Sequence, residues 1–174
     1  AEHSDEYDSP EDVPDDLFDG GGETATDGGA DSDSDDEEDT WGLIRLALTE
    51  AENADERRGP RYEAAMELNE NHHFANLQEN ETLWCYNAET GIYEQTGTQT
   101  IRRVLTEQLR SQYRGQTMSV VDDHIRGRNT IPQEQMGGPE GKIAARNKVI
   151  NIKADTTEPH SPEHMFTSRL GAEF

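Results

Sequence analysis

Cysteine is nearly missing from this chain: Cys85 is the single one in 174 residues. That excludes an internal disulfide framework and a cysteine-rich zinc site. Long apolar runs are missing too. No stretch of about 18 apolar residues occurs, so no transmembrane helix is expected. The acidic first residues lack the basic-then-apolar order of a signal peptide. Lysine is scarce, with 3 Lys beside 12 Arg, and residues 1–40 hold no base of either kind. Four motifs that announce chemistry are also lacking. There is no GxxxxGKS or GxxxxGKT loop, no GxGxxG after a strand, no GxSxG and no HExxH. P-loop nucleotide binding therefore has no motif in this chain.

What is present is acid, unevenly placed. The formal net charge is −23, and residues 1–40 alone hold 18 Asp and Glu. High charge, many Gly and Ser and few apolar residues predict a disordered acidic linker over 1–40. It is read as a solvated tail; the functional alternative is an acidic decoy competing with nucleic acid for a basic surface. Phe18 in DDLFDG is a weak docking motif within it. Residues 41–174 have the length of one ordinary domain and can bury a core. Acidity with little Lys points to a high-salt cytoplasm, where a hydrated acidic surface stays soluble. The plainer reading is an acidic linker beside an ordinary domain. A chain running from Ala1 to Phe174 with no terminating feature reads as a piece of a longer protein.

The segment TLWCYNAETGIYEQ, residues 82–95, predicts a β-hairpin with Asn87-Ala88-Glu89-Thr90-Gly91 as its turn. Alternation sets Leu83 and Cys85 on one face and Trp84 and Tyr86 on the other. A lone hairpin is marginal, so flanking helices are needed, with Trp84 and Tyr93 available to pack them. Trp41, Ile44, Leu48 and Ala51 space a first helix, capped by Asp39 or Thr40 and broken by Gly59-Pro60. A second is expected over about 61–74, with Tyr62, Ala65, Met66 and Leu68 or Asn69 on one side. A third covers 101–113, capped by Thr98 or Thr100, its face Ile101, Val104, Leu105, Leu109 and Tyr113. A fourth covers about 117–129, with Val120, Val121, His124 and Ile125 inward. Arg126 and Arg128 at its end suit the helix dipole. Pro132 and Gly137-Gly138-Pro139 mark a loop. Two short strands follow, at 142–145 and 149–152, and Met165-Phe166 starts another extended piece.

Candidate chemistry is thin. His72 and His73 are adjacent and point to different sides, a poor metal pair. His160 and His164 have helical spacing, but Pro159 and Pro162 oppose a helix there, so both read as loop residues. Cys85 in an apolar strand reads as an inert small hydrophobe. Asp122 and Asp123 read as surface charge or an ion pair with Arg126 rather than an acid–base pair. No catalytic, cofactor or metal residue is assigned. The positive signal is distribution: residues 98–153 hold 10 Lys and Arg against 5 Asp and Glu. Arg102, Arg103, Arg110, Arg126 and Arg128 are therefore the candidate contacts to DNA phosphates or to a neighbouring subunit. An arginine-rich solvated face is the alternative.

The order of features runs Trp41-x-x-Ile44, His73-Phe74, LWCYNAETGIY, IRRVLTEQL, RNKVINI and HSPEHMFT. It resembles the N-terminal module preceding the superfamily 3 helicase in phage and plasmid primase-helicases, a family shared with poxvirus primase-helicase, in its haloarchaeal versions. The resemblance spans about residues 41–174. It implies a non-catalytic connector that assists assembly of a homo-oligomeric ring, a hexamer, and loading on single-stranded or forked DNA. It implies ATP and Mg only for a downstream helicase domain, and a cytoplasmic place in DNA replication. Relatives read Asn-Gly-Val where this chain has Asn147-Lys148-Val149, which questions a positive-φ turn unless Asn147 is the left-handed residue. The expected fold is α+β: helices packed around a small antiparallel sheet, after the acidic tail. The rival readings are a free-standing DNA-binding or regulatory protein without an ATPase, and an enzyme with an unrecognised site.

Overall fold

A computed structural model describes residues 39–174. The expectations for the acidic stretch, including Phe18, thus fall outside the described residues except at Asp39 and Thr40. The described part is α+β. Helices α1 (Thr40–Glu50), α2 (Arg58–Asn71), α3 (Gly97–Leu109) and α4 (Gly115–Arg128) pack on one face of a four-stranded sheet. Its strands are β1 (Phe74–Leu77), β2 (Leu83–Asn87), β3 (Ile92–Glu94) and β4 (Thr130–Ile131), in the order β3-β2-β1-β4. Pairing is antiparallel except between β1 and β4. A second, antiparallel sheet follows the order β5 (Lys142–Ala144), β6 (Val149–Asn151), β7 (Thr156–Glu158). No described helix is long and apolar enough to cross a membrane.

Asp39 caps α1, its carboxylate accepting from Gly42 N at 2.8 Å. Ile44, Leu48 and Ala51 are buried along the expected stripe, with Trp41 packed beside them. Helix α2 starts earlier than expected. Gly59 and Pro60 sit inside its first turn, where a missing N–H breaks no intrahelical bond, so they open this helix rather than break the one before. Its inward residues are Arg61, Ala64, Ala65 and Leu68, not Tyr62 and Met66. The face is turned by about 100°, one residue, from the expected one. Phe74 does not end α2; it opens β1, a fully buried strand whose four residues have no alternation to betray it.

The hairpin forms where expected, with Cys85 opposite Glu94 and Tyr86 opposite Tyr93. Asn87 Oδ1 accepts from Glu89 N at 2.9 Å, and Gly91 has φ +72°. Helices cover the face with Leu83 and Cys85, joined by Phe74. Trp84 is only half-buried. Tyr93 is buried outside the helical core cluster, tilted against Tyr86 at 5.5 Å. So the expectation that Trp84 and Tyr93 anchor the helices is corrected. Gly97 starts α3 ahead of the expected Thr98 and Thr100 caps, because its bare Cα lies against the Leu83 side chain and carbonyl. The helix buries Ile101, Val104, Leu105 and Leu109 and stops where Arg110 adopts φ +50°. In α4 the buried set is Thr117, Met118, Val121 and Ile125. Val120 is half-buried and His124 exposed, contrary to expectation.

Strands β5 and β6 match the sequence within a residue. The turn between them closes with Ala145 N donating to Lys148 O at 2.8 Å, and neither Asn147 nor Lys148 has positive φ. Lys148 therefore costs this turn nothing. Strand β7 is not expected from the sequence, being a polar Thr-Thr-Glu run. Met165 does not begin an extended piece; it is left-handed, at φ +54°, after a short 3-10 turn.

Burial sets one pH response. It pushes the Tyr93 phenol up to about 12, from an ordinary 10. Above pH 10 the unfolded chain gives up this proton while the folded one keeps it. Stability is therefore fully present below pH 10 and falls by about 1.4 kcal/mol per unit as pH rises towards 12. Urea unfolding midpoints across that window check this. A flat profile, or the same slope in Tyr93→Phe, contradicts it.

Candidate nucleic-acid interface

The five arginines do not form one patch. Arg102 and Arg103 are exposed on α3. Arg103 meets Glu107 at 3.4 Å, but both side chains are more than half exposed, at 59% and 56%, so the pair holds the guanidinium only weakly. Arg110 is exposed at the end of α3. Arg128 is exposed at the end of α4 and lines a groove with Tyr62, Asn69 and Asp123. That groove shares no residue with the clefts that Arg103 lines.

Arg126 differs in kind. Its Nε donates to Asp122 at 2.6 Å, as the sequence anticipated for that pair. Its Nη2 donates to Thr98 Oγ1 at 2.9 Å, and Nη1 to Asn76 Oδ1 at 3.3 Å and to the Glu81 carbonyl. The guanidinium thus ties α4 to the start of α3 and to the loop between β1 and β2. Its donors are committed within the fold, which leaves it little to offer a phosphate. Arg126 is a positioning residue.

A cleft of about 570 Å³ lies between the end of α2, the hairpin turn and the first turns of α3. It gathers His72, His73, Cys85, Tyr86, Thr100 and Arg103. The His73 and Tyr86 rings meet edge-on at 6.1 Å. Burial pushes the Cys85 thiol up and the His72 imidazole down, so both favour their neutral forms. Among the described residues no hydrogen bond joins Cys85 to an imidazole; its Sγ is 3.7 Å from Tyr86 O. Thr100 and Arg103 favour the thiolate, but burial outweighs them and keeps the thiol protonated.

The later histidines also serve separate neighbours. His164 Nε2 meets Glu158 at 3.1 Å, while the His160 ring lies over Gly91. The Lys142 ammonium, ahead of His164, holds the Glu158 carboxyl below its usual range. Among the described residues no group of three or more His, Cys, Asp and Glu is arranged to hold a metal.

One residue escaped the sequence reading: Arg61, buried in α2 at 4% exposure. The signal was there, since Arg61 falls in phase with Ala64, Ala65 and Leu68 on the apolar stripe. No protein-family model matches the chain, and no curated protein sequence matches it.

Proposed function

We propose that residues 41–174 form the non-catalytic connector that precedes the ATPase in a phage- or plasmid-type primase-helicase. It serves DNA replication by assisting ring assembly and DNA loading. One observation carries the reading: the three most specific motif pieces, the hairpin lying well upstream of the other two, meet in one unit. His160 of HSPEHMFT covers Gly91 of the hairpin turn, and Tyr93 N donates to Phe166 O at 2.7 Å. Val149 of RNKVINI packs with Ala144, Phe166 and the hairpin's Ile92. Motif residues that touch one another are under a shared structural demand, as a family signature requires.

In this reading Arg102, Arg103, Arg110 and Arg128 meet DNA phosphates or a neighbouring subunit, and Arg126 holds the helices that present them. ATP and Mg belong to a downstream domain. The test is the reading frame beyond Phe174 together with the mass of its product. A Walker A motif within about one further domain, and a hexamer that falls apart when residues 41–174 are deleted, is the expected result. A frame with no ATPase overturns the proposal in favour of a free-standing DNA-binding regulator.

A further inference from the structure

Helices α2 and α4 lie side by side and run in the same direction. Arg61 meets Gln116, Tyr62 meets His124 edge-on at 5.5 Å, and Asn129 Nδ2 donates to Asn69 at 2.6 Å. Both N-termini therefore arrive at one end of the pair. A helix start carries partial positive charge and is normally met by a capping oxygen or an acidic first turn. For α2 a cap lies one turn upstream, where Asn53 Oδ1 accepts from Asp55 N and Glu56 N; at the first residues of the two helices themselves neither is found. The N-cap residues are Arg57 and Arg114, neither makes a side-chain capping bond, and neither first turn holds an acid. In a chain this acidic, arginine occupies the positions where carboxylates are favoured.

Arg61 sharpens the anomaly. It is 4% exposed, and its Nε is buried with no partner. Among the described residues its one side-chain bond is Nη2 to the neutral Gln116 amide at 3.2 Å. Among the described residues no carboxylate lies within ion-pair distance of it. Burial and the nearby Arg57 both push its pKa down. A buried guanidinium without a counter-charge is costly, and such a charge is ordinarily paired. Arg61 lines a cleft of about 470 Å³ with Arg58, Tyr62, Gln116 and His124. Arg58 has one partner, Asp55 at 3.5 Å, with both side chains more than 80% exposed, so it is free to turn.

We propose that this cleft binds the phosphate group of a nucleotide, with Arg61 and Arg58 gripping the oxygens at the paired helix starts. The exposed Tyr62 ring beside it offers a face on which a base stacks. A phosphate supplies the missing counter-charge to a fork built for bidentate contact. The same chemistry comes from a free mononucleotide or from one unit of a single-stranded nucleic acid. The site rests on Arg61 and the helix ends, and stands apart from the connector reading.

The test uses the whole chain at low salt. Melting and calorimetric titration are run with pyrophosphate, thymidine monophosphate and a short oligothymidylate, against chloride at equal ionic strength. The wild type is expected to gain melting temperature over chloride. Arg61→Met keeps the length of the buried side chain and drops its charge; it should weaken binding about tenfold or more. The exposed Arg58→Gln should do the same, and keeps the test decisive if Arg61→Met misfolds. Tighter, strongly salt-dependent binding of the oligomer identifies nucleic acid as the source; equal binding of the monophosphate identifies a free nucleotide. No gain over chloride with any probe, or equal gain in wild type and both variants, overturns the proposal.

Discussion

Arg126→Ala should lower the unfolding free energy by about 3 kcal/mol. It should do so without changing the denaturant slope, since the same surface is exposed on unfolding. One guanidinium serves four partners from three separate segments. Removing it leaves Asp122, itself only 18% exposed, with an uncompensated charge, and strips a donor from buried Asn76. Arg126→Lys should recover little, because a point ammonium cannot reach Asp122, Thr98 and the Glu81 carbonyl together. The control is Arg102→Ala, an exposed residue on the neighbouring helix, which should fall within about 0.5 kcal/mol of wild type. If Arg126→Ala instead leaves stability untouched and lowers only DNA affinity, Arg126 faces a ligand and is not a positioning residue.

Gly91→Ala is the second large effect, expected at about 2–4 kcal/mol. Two causes add. The backbone sits at φ +72°, where an L side chain is disfavoured by roughly 1–2 kcal/mol. A new Cβ would also lie 2.7 Å from His160 Cδ2 and nearer still to other ring atoms. The causes separate in a double variant. Gly91→Ala with His160→Ala should regain the steric part and keep the backbone part, leaving about 1 kcal/mol of loss relative to His160→Ala alone. Additive losses in that cycle would mean that the ring does not lie over the turn.

How legible the molecule was depends on the residues concerned. The hairpin at 83–94 and the pair β5 and β6 could be read because alternation and turn chemistry agreed locally. Strand β1 could not: Phe-Ala-Asn-Leu is buried on every side and follows directly on a helix, so it mimics a helix end. On α2, residue type favours Tyr62 for the core and Arg61 for the surface, and the fold reverses them. Composition showed an excess of arginine but not its geometry. Arg126 and Arg128 are two positions apart, yet one is braced from several sides and the other is exposed. Spacing along α2 is enough to turn Arg61 inward, but the cleft it lines needs two helices that meet only in three dimensions.

Residues 166–172 carry a consequence for how the domain keeps its sheet edges from pairing with other chains. Leu170 N donates to Ala144 O, and Arg146 N to Ala172 O, so an irregular strip runs alongside β5; Phe166 takes the matching place beside Tyr93 of β3. Each sheet therefore has one flank occupied by chain too irregular to be extended by another molecule. Open β-edges invite strand-to-strand aggregation. One segment, residues 166–172, blunts two of them, which leaves copies of this domain free to meet through other surfaces.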